Sequence, residues 1–254
     1  AAGVSVGAVP ASEPAKLDAA TIASCQVAQD VSPTQARLQA EVAKLGITTS
    51  KFWRVRSDYY DQALEWRRDV LGAASTTQLC KSMIMENTKV GDLSFEEVMS
   101  KGRVKYVCVV LQYAGAKLNK EKLTDAFRAM EGERRARTHA AADAAQKWHA
   151  HPLRSQLTGS RLFFSGKNAI GKKQYSIRMV SQETSDALSG FEHNAVTPIG
   201  MVTPVPVLLS HHIKKLPEGR LWLGGGEVDV KMSVDVAEFV EKFVPGGRPC
   251  EFHD

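Results

Sequence analysis

No stretch of this 254-residue chain approaches the roughly 18 consecutive apolar residues a bilayer-spanning helix needs, so no membrane partner is expected. The N-terminus is small and apolar but lacks the basic flank and long hydrophobic centre of a secretory signal. Cysteine is scarce: Cys25, Cys80, Cys108 and Cys250 lie far apart with no CxxC spacing, which argues against a zinc ribbon and for a reducing compartment, the cytoplasm by default. Neither a GxSxG elbow nor an HExxH pair occurs, leaving the usual serine-hydrolase and zincin chemistries without support. His149 with His151, and His211 with His212, have no cysteine or carboxylate at ligand spacing, so no metal and no other cofactor is expected. There is no internal repeat.

Two glycine-rich stretches fall short of nucleotide sites. Gly166-Lys167-Asn168-Ala169-Ile170-Gly171-Lys172 fits most of a phosphate-binding loop, but Lys173 stands where a magnesium-holding Ser or Thr belongs, and a β-prone run follows where a helix should start. It reads as a basic turn; a nucleotide-dependent enzyme would require ATP binding there. Gly224-Gly225-Gly226 is followed by another β-prone run, not by the helix N-terminus a dinucleotide pyrophosphate needs, and reads as a bend between strands.

What is present is an ordinary folded chain, 43% apolar and 24% charged, long enough for one substantial core. Its net charge of +5 is uneven. Residues 131–173 hold nine basic residues, among them Arg134, Arg135, Arg137, Lys172 and Lys173, against three acidic ones, a local +6 that suggests contact with a polyanion. Residues 1–31 lack periodicity and read as a flexible tail.

Ser32-Pro33 opens a helix, as cap and first position, that runs to Gly46. Residues 51–56 are β-prone. Asp61 is a candidate cap for a helix ending at Gly72. Residues 77–81 form a short turn feeding an extended run, and residues 104–111, apolar on both faces, mark a central strand. Asn119 caps a helix with an apolar row at Leu123, Phe127 and Met130. From Glu131 to about residue 159 the chain is rich in Ala and Arg and poor in large apolar residues, a basic helical insertion. Strand-like runs at 175–180, 205–209, 221–223 and 228–234, a helix at 181–189 and a last amphipathic helix through Val236 and Phe243 complete an α/β pattern without strict βαβ rhythm.

Two features invite chemistry. Lys81 stands in the apolar run Leu79-Cys80-Lys81-Ser82-Met83-Ile84-Met85, where a lysine is costly without a role or partner; the alternative is a lysine whose amine reaches solvent. Asn194-Ala195-Val196-Thr197-Pro198-Ile199-Gly200 cannot be helix interior. It reads either as a proline-stiffened connection or as a loop that presents backbone amides and the Thr197 hydroxyl to a small polar group.

These pieces together resemble the YbaK/prolyl-tRNA-synthetase-associated domain family of aminoacyl-tRNA editing deacylases. The resemblance rests on Gln78-Leu79-Cys80-Lys81-Ser82, on Gly190 with the 194–200 loop, on Val205-Pro206-Val207-Leu208, on the triple glycine through Val234, and on Glu238-Phe239. Phe52-Trp53-Arg54-Val55 and Met85-Glu86-Asn87-Thr88 look like the longer eukaryotic branch. The resemblance covers residues 49–244, with 131–174 as an insertion absent from the compact bacterial members. It implies one domain over 32–254 with a curved mixed sheet flanked by helices, and hydrolysis of the ester between a wrong amino acid and the tRNA 3′ adenosine, with Ala-tRNA(Pro) the first substrate to try. Lys81 would be the catalytic position. His193, Asn194, Ala195, Val196, Thr197, Pro198, Gly200, Gly225, Gly226 and Tyr59 would bind substrate, and the basic residues 134, 135, 137, 172 and 173 would touch tRNA. An aminoacyl-tRNA synthetase or multi-synthetase complex is the implied partner. Asn194-Ala195 departs from the two glycines usual in bacterial members. The competing reading is a non-catalytic adaptor that uses the same fold to bind tRNA or dock in a synthetase assembly.

Overall fold

The computed structural model describes residues 31–91, 102–116, 118–147, 170–243 and 250–252, with backbone alone for 137–147 and 250–252. The 1–30 tail, most of the 166–172 turn and the Arg137 side chain thus lie outside the described residues.

Helix α1, Pro33–Lys44, starts as its first residues dictate: Ser32 is extended and its Oγ accepts the Gln35 amide at 3.2 Å. The edge strand β1, Lys51–Arg54, follows. Helix α2, Leu64–Leu71, is entered from Ala63 without a side-chain cap. Asp61 is taken up instead in a 3-10 turn, Tyr59–Asp61, which leaves it too early in the chain to reach the helix amides. At the other end Gly72, at φ +64, closes the helix in the left-handed region that glycine enters freely.

Five strands form a mixed sheet in the order β4-β2-β3-β5-β8: β2 Cys80–Asn87, β3 Tyr106–Gln112, β4 Ile177–Met179, β5 Val207–Ser210 and β8 Cys250–Phe252. β2 runs antiparallel to β3 and β4, whereas β3, β5 and β8 run parallel. β3 is central, and Val107 through Leu111 are buried on both faces. A second, antiparallel sheet has the order β1-β7-β6, with β6 Arg220–Gly224 and β7 Val230–Asp235. Among the described residues the two sheets are linked by a bridge between Leu79 and Trp222.

Alternation along β3 divides the core. Val107, Val109 and Leu111 pack under α3, Lys120–Lys147, against Leu123, Phe127 and Met130. Cys108 and Val110 face the other way, into a layer with Leu38, Ile199, Leu221, Leu223, Met232 and Phe239. A smaller cluster lies under α2, with Tyr59, Val70, Leu71, Leu79 and Trp222. Asn119 does cap α3, its Oδ1 accepting the amides of Glu121 and Lys122 at 3.0 Å each. Two further helices, α4 Gln182–Ser189 and α5 Val236–Phe243, complete the α/β domain.

α3 runs unbroken through Glu131, whose fully buried carboxylate accepts from Tyr175 Oη at 2.6 Å, the Val104 amide at 2.9 Å and Arg103 Nε at 3.0 Å. The start of the basic stretch is therefore packed into the domain. Among the described residues no helix is long and apolar enough to cross a membrane.

Candidate active site

Where the two sheets meet, a cleft of about 410 Å³ opens. Leu79 and Trp222, the bridging pair, line it together with Leu71, Ile84 and Leu223. Its lining also includes Tyr59, Tyr60 and Tyr113, Gln182 and Ser185 of α4, and then His193, Asn194 and Val196. Lys81 and Lys231 also line it, and no Asp or Glu does so among the described residues. The cleft is thus aromatic and cationic.

Lys81 pairs in register with Leu111 across β2 and β3, and its Nζ stands 5.6 Å from the centre of the Tyr113 ring. No carboxylate among the described residues pairs with it. Lys231, which composition and pattern did not single out, is 4% exposed. Its Nζ donates to the Val228 carbonyl at 2.6 Å and lies over the Tyr60 and Tyr59 rings at 4.6 and 5.1 Å. Burial lowers its pKa to about 7; Asp229 opposes the shift and Arg67 adds to it. The tyrosines are pushed the other way: burial raises Tyr59, Tyr60 and Tyr113, so all three keep their protons at neutral pH. Cys80 also lines the cleft, but burial raises its thiol, leaving little thiolate.

Of the residues the sequence singled out, Lys81, Tyr59, His193, Asn194 and Val196 converge on this cleft. Asn194 adopts φ +66, a left-handed conformation that Asn enters more readily than other side-chain-bearing residues. Its carbonyl accepts from Tyr60 Oη at 2.6 Å. The departure from glycine is thus accommodated in the backbone. Ala195 is fully buried behind Asn194, and its amide is committed to the Glu192 carbonyl at 3.0 Å, so this N–H is not a donor to a ligand. Thr197 is also fully buried, away from the cleft lining, and Pro198 and Gly200 lie behind it as well, Gly200 against Leu38 of α1.

The triple glycine has a steric explanation. A Cβ on Gly224 would stand 2.6 Å from the Ala195 carbonyl oxygen, and one on Gly225 would stand 2.5 Å from Val230 Cγ1. Gly226, at φ +96, lies against the start of α1. Gly224 is the glycine that touches the cleft; Gly225 and Gly226 let the chain turn behind it.

The basic residues are dispersed. Lys172 pairs with Glu121 at 3.0 Å, Arg134 donates to the Arg103 carbonyl at 3.2 Å, and Arg135 stands 3.8 Å from Glu131. Lys173 is exposed. None of these lines the cleft.

No protein-family model matches this chain, and no curated protein matches its sequence. Among solved structures, a candidate trans-editing enzyme for prolyl tRNA synthetase superposes with a TM-score of 0.51 at 14% identity, over 89% of this chain and 99% of that one. A scaffold protein used to present grafted linear epitopes gives 0.49 at 15% identity, over 83% and 92% of the two chains. The hypothetical protein APE2540 gives 0.48 at 12%, over 81% and 93%. At such identity the likeness to the first of these is one of fold: this chain shares the α/β arrangement of a candidate editing protein.

Proposed function

We propose that this protein hydrolyses the ester of mischarged aminoacyl-tRNA, releasing the amino acid from the 3′-terminal adenosine. The observation that carries the reading is the cleft itself: a concave aromatic site that, among the described residues, holds two lysines, neither of them in an ion pair, and no carboxylate. Such a site suits a ligand whose reacting end gains negative charge. Lys81 is the group to stabilise the oxyanion formed as water adds to the ester carbonyl, an interaction stronger in the transition state than in the ground state. The aromatic and apolar lining, with Leu71, Leu79 and Trp222 beside the tyrosines, suits the adenine or the aminoacyl side chain by burial. The fold likeness to a candidate trans-editing protein supports the same reading, and a synthetase is then the natural partner. Ala-tRNA(Pro) is the first substrate to test. Among the described basic side chains of this stretch, any acceptor-stem contact falls to Lys173 before Arg134, Arg135 and Lys172, which already have partners within the domain.

The test is release of amino acid from Ala-, Cys- and Ser-charged tRNA(Pro) and from correctly charged Pro-tRNA(Pro), with wild type and Lys81→Met. Turnover of one mischarged species, reduced by about 10²-fold or more in the variant, is expected. Binding of tRNA without turnover of any species would replace this reading with that of an adaptor.

A further inference from the structure

We propose that His193 is the proton acceptor of this cleft, held in its reactive tautomer by Gln182 and Asp186. The proposal deepens the deacylase reading and rests on it. Gln182 and Asp186 are one turn apart on α4, and Gln182 Nε2 donates to Asp186 Oδ1. A carboxylate only accepts, so the amide nitrogen must face Asp186 and the amide oxygen must face the other way. That oxygen lies 3.0 Å from His193 Nδ1. An amide oxygen also only accepts, so Nδ1 carries the proton. In the neutral ring the lone pair is then on Nε2, at the opposite edge, where no group of the described residues bonds it.

The frame around the ring is fixed on both sides. Ser181 caps α4 by accepting the Thr184 amide at 3.3 Å, and Gly190 ends it at φ +67, its carbonyl held by Arg37 at 2.8 Å. After His193, the Asn194 carbonyl is held by Tyr60. The other titratable groups of the cleft are poorly placed to take a proton. Lys231 Nζ is occupied by the Val228 carbonyl and the tyrosine rings, Tyr59, Tyr60 and Tyr113 stay protonated, and Cys80 is buried.

In the proposed step, water bonds to the ester carbonyl carbon while one of its protons passes to His193 Nε2. The carbonyl π electrons move to the oxygen, where Lys81 stabilises the negative charge. On collapse the carbon–oxygen bond to the ribose breaks, and the imidazolium returns its proton to the departing ribose oxygen. The products are the free amino acid, which ionises in solution, and tRNA with its terminal hydroxyl restored.

Two measurements on the same full-length protein decide this. Long-range ¹H–¹⁵N spectra of His193 should show a neutral ring with its proton on Nδ1, and Gln182→Ala should release it to the Nε2-protonated form. In the deacylation assay, His193→Ala should lower kcat by about 10²–10⁴-fold with KM changed only a few-fold, and added imidazole should restore part of the rate. His193→Gln, which keeps polarity and bulk, should be as slow as His193→Ala. A wild-type ring protonated on Nε2, or His193→Ala at wild-type kcat, would overturn the proposal. Absence of hydrolysis by wild type would overturn the deacylase reading and the catalytic assignment with it; a proton on Nδ1 in that same sample would show that the His193 geometry itself was correct.

Discussion

Replacing Lys231 by Met should stabilise the protein at acid and neutral pH and abolish a stability gain that the wild type shows toward alkaline pH. The folded-state pKa of about 7 lies below the ordinary 10.5 because the ammonium is taken out of water. Between those values the unfolded chain binds more protons than the folded one, so stability rises with pH. Below pH 7 both states are charged, and confining the charge costs about 5 kcal/mol relative to the neutral amine. By pH 9.5 most of that cost is gone, so the wild type should gain about 3 kcal/mol between pH 6 and pH 9.5 relative to Lys231→Met. The buried tyrosines do not titrate in this window, and the histidines and cysteines are common to both proteins and cancel in the comparison. Urea unfolding of both proteins at half-unit pH intervals measures the difference. Parallel stability curves across the window would refute the burial account and mean that the Val228 carbonyl and two ring faces hold the charge at no net cost.

Three further outcomes follow from the packing. Glu131→Ala should cost about 3–5 kcal/mol in urea unfolding, because it leaves Arg103, the Val104 amide and the Tyr175 hydroxyl facing an empty buried site; a loss below about 1 kcal/mol would show that the cluster is not structural. Gly224→Ala should cost about 1–3 kcal/mol by overpacking and weaken substrate turnover, since its Cβ must displace the Ala195 carbonyl and with it the cleft wall; unchanged stability and kinetics would refute the steric account. Glu238 accepts from the amides and hydroxyls of Thr48 and Thr49, which lowers its pKa to about 2. Its contribution is complete above pH 4.5 and is lost as pH falls through about 2, so Glu238→Gln should flatten acid unfolding between pH 5 and 2 without altering the alkaline side.

Much of the fold was legible because its signals are local. Ser32-Pro33, Asn119 and the Gly72 stop each act within one helical turn, and the structure uses all three as their chemistry requires. β3 announced its central position by being apolar at consecutive positions, as a strand buried on both faces must be. Asp61 misled because a 3-10 turn consumed it, and capping residues serve turns and helices alike. The division into two sheets was not legible. It depends on whether residues far apart in sequence pair, as Leu79 and Trp222 do, and no local pattern encodes that.

The cleft shows the same boundary between local and convergent information. Lys81 was visible as a lysine in an apolar run. The same criterion applies to Lys231, between Val230 and Met232, but the alternation of Lys231, Ser233 and Asp235 with valine and methionine resembles an ordinary half-exposed strand, whereas in the fold the Tyr59 and Tyr60 rings lie against the Lys231 amine. The 194–200 loop illustrates the converse error. Its proline and glycine do stiffen it, but only its first part meets the cleft, while Ile199 joins the core and Gly200 packs against Leu38. A stiff loop needs an anchor, and in this fold Thr197 through Gly200 provide the anchor so that His193 and Asn194 can be presented. Gln182 and His193 lie eleven residues apart, across the end of a helix, at a spacing no periodicity selects. Only α4 and the loop folded together place an amide oxygen against Nδ1, and it is that contact which turns an exposed histidine into a base with a defined free nitrogen.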